Sequence, residues 1–254
     1  MLINVKTLNG YSIQNTANET IGKVKDLYFD DQRWTVRYLV ANTGKWLIGR
    51  KVLISPYALV EVNADHENIV ANLTKKQMED SPPLDSDKPV SRQFESDYYG
   101  YYGWPAYWYG PYSWGYSPGL ERDSSKWEQF NTGGKAWDHH LRSSHEVTGY
   151  SIQAEDGEIG RVDDFVIDDE TWEIRYLIVN TSNWWAGKKV LIAPIWIERV
   201  SWGDHKVVID LTREAIKLSP EFTDKSLITR EYETSLHEHY HRKGYWVDQL
   251  VNCQ

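Results

Sequence analysis

The chain has little cysteine: one in 254 residues, Cys253. That excludes a disulfide framework and a thiolate-held metal site, and it fits a reducing compartment. Long apolar runs are missing as well. No stretch of about 18 apolar residues occurs, and the opening MLINVKTLNG lacks the apolar core of a signal peptide. A soluble cytoplasmic protein with no integral membrane segment is expected. Basic residues are fewer than acidic ones, 28 against 37, for a net charge of −9. This argues against a broad phosphate-binding surface and against nucleic acid as a partner. Also absent are a nucleophile elbow, a phosphate-cradling glycine loop, HExxH and paired Cys-x-x-Cys motifs. No catalytic residue and no cofactor is therefore expected. Phenylalanine is sparse at 5 residues, against 13 tryptophans and 17 tyrosines. Such amphipathic rings suit small barrels, where one edge packs and the other touches water.

What is present is a duplication. GYSIQ occurs at Gly10–Gln14 and again at Gly149–Gln153. After a one-residue deletion, Ile21–Val62 aligns with Ile159–Val200 at an offset of 138, with 20 of 42 positions identical. Alternation of Trp34, Val36, Tyr38 and Val40, and of Trp172, Ile174, Tyr176 and Ile178, has the period of a half-buried strand. Each follows an acidic turn (Asp30-Asp31-Gln32 or Asp168-Asp169-Glu170) and an earlier strand, which together read as a hairpin. Further strands are predicted near residues 51–54, 59–62 and 69–73, and near 189–192, 197–200 and 207–211. Pro56 and Pro194 mark corners. Short helical turns follow, with Thr74 and Thr212 as caps. About six short strands per copy without a βαβ rhythm predict a small closed or nearly closed barrel.

The repeat continues further. SRQFE at Ser91–Glu95 matches TREYE at Thr229–Glu233, and Tyr102, Tyr107 and Trp108 match Tyr240, Tyr245 and Trp246. The ring-rich segment 98–119 therefore begins as an arm of its domain. The expected division is a first domain with its arm at 1–118, a polar linker at 119–146, and a second domain with a shorter arm at 147–254.

GKVKDLYFDDQRWTVRYLV and GRVDDFVIDDETWEIRYLI, each followed by a KVLI-Pro corner, resemble the PRC-barrel domain. That family is named after the cytoplasmic domain of the photosynthetic reaction centre H subunit, and it also includes the C-terminal domain of a ribosome maturation factor. The resemblance spans roughly 8–80 and 147–218. It implies a mainly β fold, two homologous small barrels in tandem, each with a short helical turn and an aromatic C-terminal arm. The H subunit's membrane helix and the maturation factor's RNA-associated domain have no counterpart in the resemblance, so neither role is expected whole.

Three groups of residues are candidates for chemistry. His237, His239 and His241 would share a face if they lay on a strand, and could then hold a metal. Against this, they take the places of Tyr99, Tyr101 and Gly103 in the aromatic arm. The ring positions Tyr102, Trp104, Tyr107, Trp108, Tyr240, Tyr245 and Trp246 could bind a partner, although docking on their own barrel removes more apolar surface from water. The acidic pairs read as turn residues, with Arg37 and Arg175 expected to pair with Asp26 and Asp164. The basic pairs Arg50-Lys51 and Lys188-Lys189 read as solubilising charges at a strand edge.

The leading expectation for function is a non-enzymatic module that binds or scaffolds another protein, with its two barrels paired within the chain. The alternative is a photosynthesis- or electron-transport-associated protein attached peripherally to a membrane complex. The third is a metal-dependent hydrolase using the histidine cluster.

Overall fold

The computed structural model describes residues 1–47, 52–83, 90–130, 141–181, 188–223 and 227–247. The chain divides into two compact units. Unit 1 holds Met1, 3–146 and 167–174, and unit 2 holds Leu2, 147–166 and 175–254.

The first copy runs β1 (Leu2–Asn4), α1 (Val5–Leu8), β2 (Ser12–Asn15), β3 (Thr20–Asp30), β4 (Thr35–Asn42), β5 (Val52–Ile54), β6 (Leu59–Asn63), β7 (Asn68–Ala71), α2 (Lys75–Asp80) and α3 (Arg92–Tyr102). The second runs β8 (Leu141–Ser143), α4 (Ser144–Val147), β9 (Ser151–Ala154), β10 (Gly157–Asp168), β11 (Ile174–Asn180), β12 (Lys189–Ile192), β13 (Ile197–Ser201), β14 (Lys206–Ile209), α5 (Arg213–Leu218) and α6 (Arg230–His239).

Six strands of each copy form one path in a seven-stranded sheet, and the seventh strand of the first sheet is β8. The first follows the path β5-β4-β3-β2-β7-β6, and the second repeats it as β12-β11-β10-β9-β14-β13. Most pairs are antiparallel, but β2 lies parallel to β7 and β9 parallel to β14. The sheets stay open, with no ladder joining β5 to β6 or β12 to β13 among the described residues. Instead the two edge strands are consecutive in the chain. They are joined by a 3₁₀ turn at Pro56–Ala58 or Pro194–Trp196. Proline begins each turn because its fixed φ suits the corner and it has no N–H to offer a ladder. In this sense each sheet wraps round and nearly closes.

The long central strands hold the cores. Seven of the eight residues of β4 are buried, including Val36, Tyr38, Leu39 and Val40. In β11 Tyr176, Leu177, Ile178 and Val179 are fully buried. Thr74 caps α2 by accepting from the Gln77 N–H at 3.1 Å, while the Gln77 side chain accepts from the Thr74 N–H at 2.9 Å. Thr212 caps α5 with its side chain alone, accepting from the Ala215 N–H at 3.3 Å.

One boundary differs from the sequence reading. Residues 141–146, expected as linker, form β8 and the start of α4. β8 pairs antiparallel with the end of β3, Phe29 opposite Arg142. Asp26 fastens this segment, accepting from Ser143 Oγ at 2.5 Å, Ser144 Oγ at 2.9 Å and the His145 N–H at 3.2 Å. The strand was missed because it is three residues long and half-buried, too short for a period to register. The arms begin as helices, α3 and α6.

Candidate functional site

The most distinctive chemistry in each copy grows from the SRQFE/TREYE segment. Ser91 and Thr229 cap α3 and α6, accepting from the Phe94 and Tyr232 N–H groups at 3.2 and 3.3 Å. Glu95 and Glu233 follow four residues after the cap, one place later than a capping box requires. Each therefore turns inward, and each is 2% exposed.

An isolated buried carboxylate costs several kcal/mol, so it needs partners. Both have the same set. Glu95 Oε1 accepts from Tyr38 Oη at 3.0 Å and from Tyr107 Oη at 2.5 Å. Glu233 Oε1 accepts from Tyr176 Oη at 2.9 Å and from Tyr245 Oη at 3.0 Å. Arg92 and Arg230, one turn back on the same helices, complete the pairs at 3.1 and 2.9 Å. The guanidinium of Arg37 lies 3.9 Å from the Tyr107 ring centre and that of Arg175 lies 4.0 Å from the Tyr245 ring centre. Arg92 and Arg230 stack over Trp108 and Trp246 at 4.6 and 4.2 Å.

Burial pushes Glu95 above the usual carboxylate range, against the opposing pull of the Tyr107 hydroxyl and Arg92. It also drives Tyr38 and Tyr107 well above the ordinary phenol value and raises Tyr245 to about 12. The phenols are thus neutral donors over the whole physiological range, which suits them to hold a carboxylate in place rather than to exchange protons with a substrate.

Arg37 pairs with Asp30, not with Asp26 as expected. The contacts are 2.6 Å from Nε and 2.5 Å from Nη2, with both side chains fully buried. A bulge between Tyr28 and Phe29 shifts the β3–β4 register and sets Asp30 opposite Thr35. Burial is the largest influence and would weaken the Arg37 charge, but Asp30, with Tyr107 and Tyr99 behind it, offsets this and holds the guanidinium above its usual pKa. Asp30 Oδ1 also accepts from the Gln32 and Arg33 N–H groups at 3.2 and 2.5 Å, and Asp168 Oδ1 does so from Glu170 at 3.0 Å. These aspartates are turn residues with their oxygens engaged.

The histidines do not form the strand face that a shared metal would need. His237 and His239 lie two apart on α6, where such a spacing turns side chains to different faces. His237 is buried, with Nδ1 3.0 Å from the Lys243 carbonyl and Nε2 3.1 Å from Tyr176 Oη. His239 Nε2 donates to the Ala215 carbonyl at 2.7 Å. His241 is exposed beyond the helix in a left-handed conformation, φ +53°. Among the described residues no group of three or more His, Cys, Asp or Glu side chains is placed to hold a metal ion.

Of the seven ring positions offered as a partner surface, three face inward. Tyr107, Trp108 and Tyr240 are buried and present no face to a partner in this conformation. Tyr102, Trp104, Tyr245 and Trp246 are half-buried. Tyr102 and Trp104 stack at 4.3 Å. In unit 1 the arm covers Tyr57, whose ring meets those of Tyr99, Trp104, Trp114 and Trp127 at 5.1–6.2 Å. Lys188 donates to the carbonyls of Lys217 and Ser219 at 2.7 and 2.5 Å, closing the end of α5, and Lys189 pairs with Asp163 at 3.0 Å. Arg50 and Lys51 lie outside the described residues.

The inward glutamate was missed because its surroundings looked like an arm and not a helix. The signal available was the match of SRQFE to TREYE at the spacing of the rest of the repeat.

The PRC-barrel domain family matches residues 2–78 and 139–216, more than half of the chain and once in each copy. The chain belongs to the PRC-barrel domain family. The second match starts ahead of β8, so the PRC-barrel repeat opens with the β1/α1 and β8/α4 segments rather than at the GYSIQ motif. A comparison with curated proteins gives no match. No helix among the described residues is long and apolar enough to cross a membrane.

Proposed function

We propose that the protein is a non-enzymatic docking module in which two PRC-barrels bind or scaffold another protein in the cytoplasm. The observation that carries this reading is how each copy uses its buried carboxylate. Glu95 and Glu233 are each held by two phenols and an arginine, so these groups fix an aromatic helix against the sheet and are not poised for catalysis. What the barrels offer outward is shape: sheet edges, corners and half-buried rings, the usual materials of protein recognition. Pairing of the two barrels would let one chain present two related faces. Small-angle scattering of the intact chain tests it, and a two-lobed extended particle rejects it.

The experiment for the main reading is a tagged pull-down from cell extract with mass spectrometry. Recovery of a stoichiometric soluble partner supports it, and recovery of none rejects it. The family name keeps a second reading in view, peripheral attachment to a photosynthetic or electron-transport complex, and the same experiment separates the two by whether a pigmented membrane complex is recovered. A metal-dependent hydrolase ranks below both, since His237 and His239 are engaged with different partners on different helix faces. Metal analysis of the purified protein tests it.

A further inference from the structure

The two copies guard their matched edge strands differently. β6 ends the path of the first sheet and pairs with β7, and its outer edge forms no ladder among the described residues. Its counterpart in the second sheet is β13. There Glu198 and Arg199 are both exposed and place charge along the edge, a common protection against pairing with another chain. In β6 Val60 stands where β13 has Glu198, and it is 60% exposed. Unit 1 thus leaves an apolar residue on an open edge.

A pocket of about 400 Å³ lies along that strand, lined by Leu59, Val60 and Val62 of β6 and by Arg122. All of its lining residues belong to unit 1. Arg122 Nε donates to the Pro56 carbonyl, just ahead of β6, at 3.4 Å, and among the described residues no carboxylate forms an ion pair with this arginine. Burial pulls the Arg122 pKa below its ordinary value, by more than Asp169, Glu170 and Tyr57 restore. A cation so placed has room for an anion of its own. Trp172 is in the same wall. It is fully buried, and its indole N–H has no acceptor among the described residues, which is uncommon in a completed core. Glu61, Asp169 and Glu170 line the pocket too, so it offers negative charge as well as positive.

We infer that this pocket and the β6 edge receive the C-terminal end of a partner protein, an extended segment with a free carboxylate, an apolar last residue and a basic residue about two places earlier. The inference rests on the protein-binding reading above and names the kind of partner. Arg122 sets the direction. It stands at the Pro56 end of β6, so a carboxylate there requires the segment to run antiparallel to the strand. The apolar last side chain then meets Val60, and the earlier residues run past 61–63, where the basic side chain finds Glu61. A bulge between Leu59 and Glu61 interrupts the β6–β7 ladder at the carboxylate end only, and 61–63 keep a regular register for pairing.

The test titrates the full chain into a set of labelled peptides of about ten residues and reads fluorescence anisotropy. Each peptide ends in Val, Ile or Leu, with Lys or Arg two places earlier, and is made both as the free acid and as the amide. Saturable binding of the acids is expected, weaker by about tenfold or more for the amides. In Arg122→Gln that preference for the acid should vanish, which makes the two changes non-additive. Val60→Glu, which installs the charge of the second copy, should weaken both forms. Both side chains reach solvent, so circular dichroism should be unchanged in either variant. No binding by any peptide, or an equal cost of amidation in wild type and Arg122→Gln, overturns the inference. Displacement by isovalerate at concentrations comparable to the peptide makes the occupant a small acid and overturns it too. So does self-association that Arg122→Gln relieves, which makes a second copy the occupant. A pull-down run in parallel keeps the two readings apart. If the peptides fail while wild type and Arg122→Gln capture the same partner, this pocket is rejected and the docking function stands. If wild type captures no partner, the docking function itself fails.

Discussion

Tyr38 and Glu95 stand 57 residues apart in sequence and meet at 3.0 Å in the core of unit 1. Tyr176 and Glu233 repeat the contact in unit 2 at the same separation and 2.9 Å. The bond ties the central strand of each sheet to the capped helix that follows the barrel. The helix is therefore part of the folded unit and not an appendage.

Removing the acceptor should be costly. In Glu95→Ala the hydroxyls of Tyr38 and Tyr107 lose their shared partner inside the core, and destabilisation of about 2–4 kcal/mol is expected. Glu95→Gln keeps an acceptor oxygen and should cost about 1 kcal/mol at neutral pH. The pH dependence gives the sign. Burial raises the folded pKa of Glu95, so the folded state holds its proton more readily than the unfolded state. The stability from the neutral form is full below the unfolded pKa and is lost as pH rises through the folded value. Glu95→Gln should gain on wild type across that rise in urea titrations, and a gap that widens against Gln would contradict the assignment.

Arg37 tests the buried ion pair. Arg37→Met leaves Asp30 charged and fully buried without its cation, which should cost about 3–5 kcal/mol. Adding Asp30→Asn to Arg37→Met removes the stranded charge while keeping an oxygen for the turn, and should recover part of the loss. The two single variants and the double, unfolded in urea, form the cycle. Strict additivity would mean that the pair does not interact.

Much of this architecture was legible in the sequence. The hairpins of β3–β4 and β10–β11 followed from alternation around Tyr38 and Tyr176. Thr74 and Thr212 announced their helices because a capping side chain lies next to its helix in sequence. The family resemblance was carried by residues of the sheet core. What the sequence hid is what depends on distant partners. The choice of Asp30 over Asp26 for Arg37 turns on a bulge that no local pattern marks. Glu95 and Glu233 read as polar arm residues, since only the fold brings two phenols to each. α3 and α6 were obscured by YYGYYG and HEHYH, whose side chains are chosen for packing on a barrel and not for helix propensity.

The glycine pair at the start of the long strands has diverged in tightness. A Cβ on Gly160, at φ +156°, would lie 2.3 Å from the Asn180 carbonyl oxygen, whereas one on Gly22 would lie 3.1 Å from the matching Asn42 oxygen. Both obstacles are backbone, so relief requires the ladder to move. Gly160→Ala should cost about 2 kcal/mol or more, combining clash with backbone strain. Gly22→Ala should cost less. Thermal unfolding of the two variants side by side checks the order, and equal losses would mean that the strands relax freely there.

His237 should give unit 2 a dependence on mild acid that the matching tyrosine cannot give unit 1. Its position corresponds to Tyr99, whose hydroxyl meets Ser55 at 3.2 Å and whose pKa burial drives far above neutrality. Burial lowers the pKa of His237, with a smaller contribution from the charge of Arg230 and an opposing one from the Lys243 carbonyl. Glu233 and Tyr176 lie in the same cluster. The folded state therefore prefers the neutral ring and binds fewer protons than the unfolded chain. The stability this provides is complete above the unfolded pKa of about 6.5 and is lost as pH falls through the lower folded value. His237→Tyr, which installs the residue of the first copy, should remove this dependence. Urea unfolding at a series of pH values from neutral downward should show wild type losing ground to His237→Tyr over that interval. Parallel curves for the two proteins would mean that the ring keeps its proton balance on unfolding, and that the substitution at this position is one of packing alone.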